Sequence, residues 1–299
     1  LLFLGIGRML QERHAEARAY LEPIVAQPGT IRQAMTDTLA LLNLAQISWE
    51  VQEYRRGAAE VERAIGLARM VDMYFLEGIG RRVRGIIALS TGRLAQAEAA
   101  LTEAVAIFGA LNAERDMART QMELALLEIW CGRYTSARAM VEAALATARS
   151  QQFIPIEGHA LIHRGHALLG LGDPLIAAES YRAGHALFLA LGRRNRAMEA
   201  WAGLIEVDLA CDRRTAALHT GREVLAHLAA GRPALHGMYD PARVCLAVAD
   251  ALSIDDPDGA RSARAMAVDV LEHTTAQLEP ERARRDLAHI PALRRLIQL

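Results

Sequence analysis

The chain contains no lysine: all 34 of its basic residues are arginine, set against 35 acidic ones. This absence removes a phosphate-binding loop of the G-x-x-x-x-G-K-[ST] type and covalent chemistry through a lysine imine. Cysteine is nearly as scarce. Cys131, Cys211 and Cys245 are far apart and form no C-x-x-C pair, so neither a disulfide framework nor a zinc site is expected. Aromatic residues make up 5%, and Gly (22) and Pro (9) are too few for a loop-rich or disordered chain of 299 residues. No apolar run reaches the roughly 18 to 20 residues of a membrane span. A nucleophile elbow of the G-x-S-x-G type and a Gly-rich dinucleotide turn are also missing. The net charge of −1 argues against non-specific nucleic-acid binding. Paired arginines such as Arg193–Arg194 and Arg284–Arg285 read as solvated surface.

What the chain does have is a phrase repeated every 40 residues. "TGRLAQAEAALTEAV" at Thr91 returns as "CGRYTSARAMVEAAL" at Cys131, "LGDPLIAAESYRAGH" at Leu171 and "CDRRTAALHTGREVL" at Cys211, with looser copies at Leu10 and Val51. Each copy is a turn followed by an Ala-rich amphipathic stretch, and a period of this length means stacked two-helix units. Ala17, Ala58, Ala97, Ala137, Ala177 and Ala217 anchor the second helix of each unit. Larger side chains follow four residues later, at Leu21, Leu101, Val141 and Tyr181, on the same helical stripe. Twelve residues before the anchor stands a small residue in several copies: Gly5, Gly85, Ala125 and Gly165. A glycine inside a helix costs about 1 kcal/mol relative to alanine, so its recurrence predicts a neighbouring helix packed too closely for a side chain. Cys131 and Cys211 share one place in the repeat and are expected in the core.

The fold expected is all-α: a right-handed solenoid of about seven antiparallel helix pairs with a C-terminal capping helix. The pairs are placed over 1–28, 30–71, 73–112, 114–152, 154–193, 195–233 and 237–278, and the last helix over 280–297, with Pro291 kinking or ending it. Residues 1–299 read as a single repeat domain. The opening "LLFLGIGRML" has no basic segment or cleavage site of a signal peptide, lacks an initiator Met and reads as a truncated repeat. The expectation is a C-terminal piece of a longer protein.

These features resemble the tetratricopeptide repeat. Leu4–Gly5 matches that family's Leu-Gly pair, and Trp201 and Leu204 stand at its Trp and Leu positions, while Arg84 and Arg164 replace the Leu elsewhere. The period departs from the family's usual length of about 34 residues. Long Ala-rich repeats of this kind look like the C-terminal region of bacterial regulatory ATPases of the maltose-activator, LuxR and cyclase-linked types. The resemblance implies a cytoplasmic, non-catalytic protein- or peptide-binding domain in signal transduction or transcription regulation. Its expected partner is a protein or peptide segment, with upstream domains of the same chain or a small effector as further candidates, and neither nucleic acid nor membrane. No cofactor is expected.

His159, His163 and His166 in "EGHALIHRGHALLG" share one helical face. In the family's register that face lines the concave groove where partners dock, together with Arg82, Arg119, Glu123, Glu199 and Glu206. A mixed polar groove of this kind suits a charged peptide through charge-assisted hydrogen bonds. Two imidazoles four residues apart also present zinc or copper ligands, so a metal-dependent hydrolase is a remote alternative. A self-association scaffold without an effector is the nearer one.

Overall fold

The computed structural model describes residues 1–26 and 33–298. Sixteen α-helices occur among them: α1 (Leu2–Leu10), α2 (His14–Val25), α3 (Ala34–Glu50), α4 (Tyr54–Met70), α5 (Tyr74–Ser90), α6 (Leu94–Ala110), α7 (Glu114–Trp130), α8 (Tyr134–Ser150), α9 (Ile154–Gly170), α10 (Pro174–Ala190), α11 (Arg194–Ala210), α12 (Arg214–Leu228), α13 (Pro241–Leu252), α14 (Pro257–Thr275), α15 (Pro280–Leu287) and α16 (Pro291–Ile297). A short 3-10 turn, Arg232–Leu235, precedes α13. No strand occurs among the described residues, and no helix there is long and apolar enough to cross a membrane. The predicted junction between the first two pairs falls on residues outside the described ones.

The period is written into the backbone. From α3 to α11 every helix is 17 residues long, about 25 Å at the usual rise. Two residues beyond the end of each, and of α1, stands a residue with positive φ. Glu12, Gln52, Gly92, Gly132, Gly172 and Asp212 close one set of turns, and Asp72, Asn112, Gln152 and Gly192 the other. There the chain reverses through backbone bonds: Arg93 N–H donates to Ala88 C=O at 2.9 Å and Gly92 N–H to Leu89 C=O at 2.9 Å. The following residue, such as Arg93 or Arg133, starts the next helix without a side-chain cap.

The chain divides into two compact units, Leu1–Thr120 and Gln121–Leu299, with the division inside α7. In each, antiparallel neighbours pack along the chain, and odd-numbered helices also touch one another: α1 with α3 and α3 with α5 in the first unit, α9 with α11 and α11 with α13 in the second. The second helices press their anchor residues into the core. Ala17, Ala97, Ala137, Ala177 and Ala217 are fully buried. In the second copy the anchor is Gly57, one place before the expected Ala58, which is only half-buried. Gly57 restores an unbroken spacing of 40.

Close approach explains the small residues. A β-carbon at Gly5 or Gly85 would stand 2.6 Å from Leu21 or Leu101, and one at Gly165 would stand 2.5 Å from the Tyr181 ring. The sixth copy reverses the sizes, with Ile205 at the small position and Gly221 at the large one. Cys131 departs from expectation. It is exposed, because it lies in the turn after α7 rather than on the packed stripe, and Cys211 is half-buried.

Regularity fails after α12. Both α13 and α14 begin at Asp-Pro, and here side chains do cap: Asp240 accepts from Arg243 N–H at 3.0 Å and Asp256 from Gly259 N–H at 2.9 Å. The last expected helix is two. Pro291 cannot continue α15 and instead opens α16 in the first turn, where its missing N–H is harmless.

Candidate functional site

Six of the eight residues expected on the inner face lie in the second unit, and the structure brings them together. Glu123 comes from α7, His159, His163 and His166 from α9, and Glu199 and Glu206 from α11. They do not form an open groove. Glu123 (0% exposed), His163 (1%), Glu199 (2%) and His159 (8%) are buried. What covers them is the segment leading into α13, which turns through the positive-φ glycines Gly231 and Gly237 and lays Tyr239 across the helices.

Tyr239 is the hub. Its hydroxyl donates to Glu123 Oε1 at 3.2 Å, and its ring packs edge-on against His159 at 5.3 Å and His163 at 5.4 Å between centroids. The guanidinium of Arg196 lies 5.3 Å from the ring centre, within cation–π range. Backbone N–H groups of Tyr239 and Asp240 both donate to Glu199 Oε1, at 3.0 and 3.2 Å. Glu199 Oε2 is buried and takes no hydrogen bond. Burial pushes the Glu199 carboxyl above its usual range, against the pull of Arg196 and the two backbone donors.

Arg243 organises the other end. It pairs with Glu206, donates to His166 Nε2 at 3.1 Å and reaches the Tyr181 hydroxyl at 3.4 Å. Since guanidinium can only donate, His166 Nε2 must accept, so the neutral ring carries its proton on Nδ1 and donates it to Tyr181 Oη at 2.7 Å. Burial, reinforced by Arg243, holds the His166 pKa well below the usual value. His163 donates from Nδ1 to the Met122 carbonyl at 3.2 Å, and burial lowers its pKa to about 4. Both rings are neutral at physiological pH. Among the described residues no group of three His, Cys, Asp or Glu side chains is arranged to hold a metal ion. Burial raises Asp240 to about 6.

Beside this cluster opens a cleft of about 280 Å³. Leu126, Ile129 and Trp130 of α7, Tyr134 of α8, Leu246 of α13 and Pro291 of α16 form its apolar walls. His166, Glu199, Glu206, Asp240, Arg243 and Arg295 supply its polar lining. A cavity with greasy walls and a few convergent polar groups is the usual form of a binding site.

The other two expected residues, Arg82 and Arg119, belong to the first unit. Arg82 is buried and donates to Gln46 of α3 at 3.3 Å; Arg119 is half-buried. Arg82 stands 40 residues before Met122 and so shares the phase of a core residue, not of the histidines.

Tyr239, Asp240 and Arg243 were not among the expected residues, although the repeat points to two of them. Forty residues on from Glu199 is Tyr239, and 80 on from His163 is Arg243. Extending the period past the irregular turn finds both. The repeat marks Tyr181 only as a packing residue and gives no sign of Arg196, because their polar roles depend on which neighbours surround them.

No family model matches the chain, and no curated protein matches it significantly in sequence. Solved structures do resemble it. A Rap protein complexed with competence and sporulation factor superposes with a TM-score of 0.69 at 13% identity, over 93% of this chain and 79% of that one. NprR in complex with its cognate peptide NprX gives 0.66 at 13%, over 99% and 85%. Aspartyl phosphate phosphatase F from Bacillus subtilis gives 0.57 at 13%, over 97% and 82%. At such identities the likeness concerns the fold, and that fold is the all-helical, tetratricopeptide-like repeat.

Proposed function

We propose that the chain is a non-catalytic repeat domain that binds a peptide or small effector on the odd-helix face of its second unit. In this reading it is the sensor or scaffold part of a cytoplasmic bacterial signalling or transcription regulator, and residues 1–299 act as one domain within it. The observation that carries the reading is the cleft of about 280 Å³ set against a buried polar cluster in which neutral histidines, carboxylates and guanidiniums converge. Two of the similar structures are complexes, one with competence and sporulation factor and one with a cognate peptide, which favours a peptide as ligand. The third is named a phosphatase. The affinity with regulatory ATPases of the maltose-activator and LuxR types rests on the long Ala-rich repeats.

Glu206, Arg243 and His166 would contact the ligand at the cleft. Arg82 and Arg119 would serve any longer partner through the first unit. A ligand acts as a signal only by binding two states of the array with different affinity.

Selection of binders from a random peptide library tests the reading. Selected peptides should compete with one another and lose affinity when Arg243 is replaced by Met or Trp130 by Ala. Binders indifferent to both changes would place the docking surface elsewhere.

A further inference from the structure

The charges around the cleft do not cancel, and their surplus specifies what fits it. Three carboxyl groups of the lining, Glu199, Glu206 and Asp240, meet one guanidinium, Arg243, while Arg295 is taken by Asp250, with contacts of 2.9 and 3.1 Å. His163 and His166 add no positive charge. Arg243 is committed to Glu206, His166 and Tyr181. The guanidiniums of the lining are thus taken, while one carboxyl of the lining is not. The clearest sign is Glu199: it is 2% exposed and lines the cleft, and its Oε2 has no hydrogen-bond donor. A buried carboxyl oxygen without a donor is costly, and a ligand that brings one recovers that cost. Asp240 stands beside it in the lining. Trp130 and Tyr134 line the same cleft, with Leu126 and Ile129. Aromatic rings and carboxyls in one lining suit a cation better than a neutral or anionic group.

We infer that this cleft takes an organic monocation, a primary ammonium or guanidinium on an apolar stem. The charged head meets Glu199 and Asp240, and the stem lies along Trp130 and Tyr134. Such a head reaches the site either as a basic side chain or amino terminus of a peptide, or as a free amine. The inference rests on the docking reading above and narrows it to a ligand charge.

Calorimetry on the whole chain with n-hexylammonium, hexanoate and hexanol as probes tests it, with the Trp130 indole resonance reporting the location. The ammonium should bind at least roughly tenfold more tightly than the other two, a difference of about 1.4 kcal/mol. Glu199→Gln and Asp240→Asn should each reduce that preference, and Glu98→Gln on the first unit should not. Melting curves accompany each variant, and where Glu199→Gln fails to fold, Asp240→Asn decides. Equal or tighter binding of hexanoate or hexanol overturns the inference, as does a preference that both variants leave intact, or no ammonium binding at all. An arginyl peptide blocked at both ends, and a free-amine peptide without basic side chains, then distinguish the two peptide sources from the small amine. If library-selected peptides lack any basic group yet lose affinity on Arg243→Met, the charge inference falls while the docking site stands.

Discussion

At the scale of the residue, three side chains decide how the second unit responds to change. Tyr181 is wedged between glycines, since a β-carbon at Gly165 would stand 2.5 Å from its ring and one at Gly203 2.4 Å. Gly165→Ala should therefore destabilise by about 1–3 kcal/mol through overpacking, read as a lower denaturation midpoint. The same substitution at exposed Gly66, where a β-carbon meets nothing within 4 Å, should be neutral or stabilising. His163 and Asp240 titrate in opposition. The His163 pKa falls from 6.5 in the unfolded chain to about 4, so acidification from about pH 6.5 to 4 costs stability, on the order of 3 kcal/mol. Asp240 rises from 3.8 to about 6, so its contribution is present at low pH and lost as pH climbs to about 6. The two largely cancel between pH 4 and 6. Asp240→Asn removes one side of that opposition, and its stability should fall more steeply on acidification than that of the unaltered chain. Chemical denaturation at stepped pH measures the slope.

At the scale of the element, most of the helices were legible because one signal recurs. Anchors at a spacing of 40, a small residue twelve before and a bulky one four after fix which faces meet. The mistakes have local causes. Ala58 outranks Gly57 as a helix former, yet the packed position takes the glycine because Ser48 and Ile87 crowd it. Cys131 looks apolar but stands in a turn. The site was half legible: helical phase put the histidines on one face, but nothing in that phase tells that a later segment covers them. Helix ends offer two tests. Gln152 is exposed with φ of +57°, so Gln152→Gly should stabilise by about 0.5–1 kcal/mol. Asp256→Ala should cost about 1 kcal/mol, because α14 has a side-chain cap where helices α8 to α12 have none. Thermal melts of the two variants should move in opposite directions.

At the scale of the molecule, an ideal repeat array bonds each unit only to its neighbours. Within the second unit most side-chain bridges between repeats do span about one period, as His163 to Met122 does with 41 residues. Tyr239 breaks the pattern: its hydroxyl reaches Glu123 across 116 residues of chain. Tyr239→Phe should cost about 1–2 kcal/mol and raise amide hydrogen exchange in α7 as well as in α13, whereas a purely neighbour-coupled array would confine the change to the end. That single phenol also sets a schedule for synthesis. As the chain leaves the ribosome, α7, α9 and α11 emerge with their histidines and carboxylates uncovered. They must wait for the segment that closes over them. Until it arrives, the nascent helices present the polar face that the finished protein covers in large part, and a nascent-chain arrest just before Gly231 would hold it open.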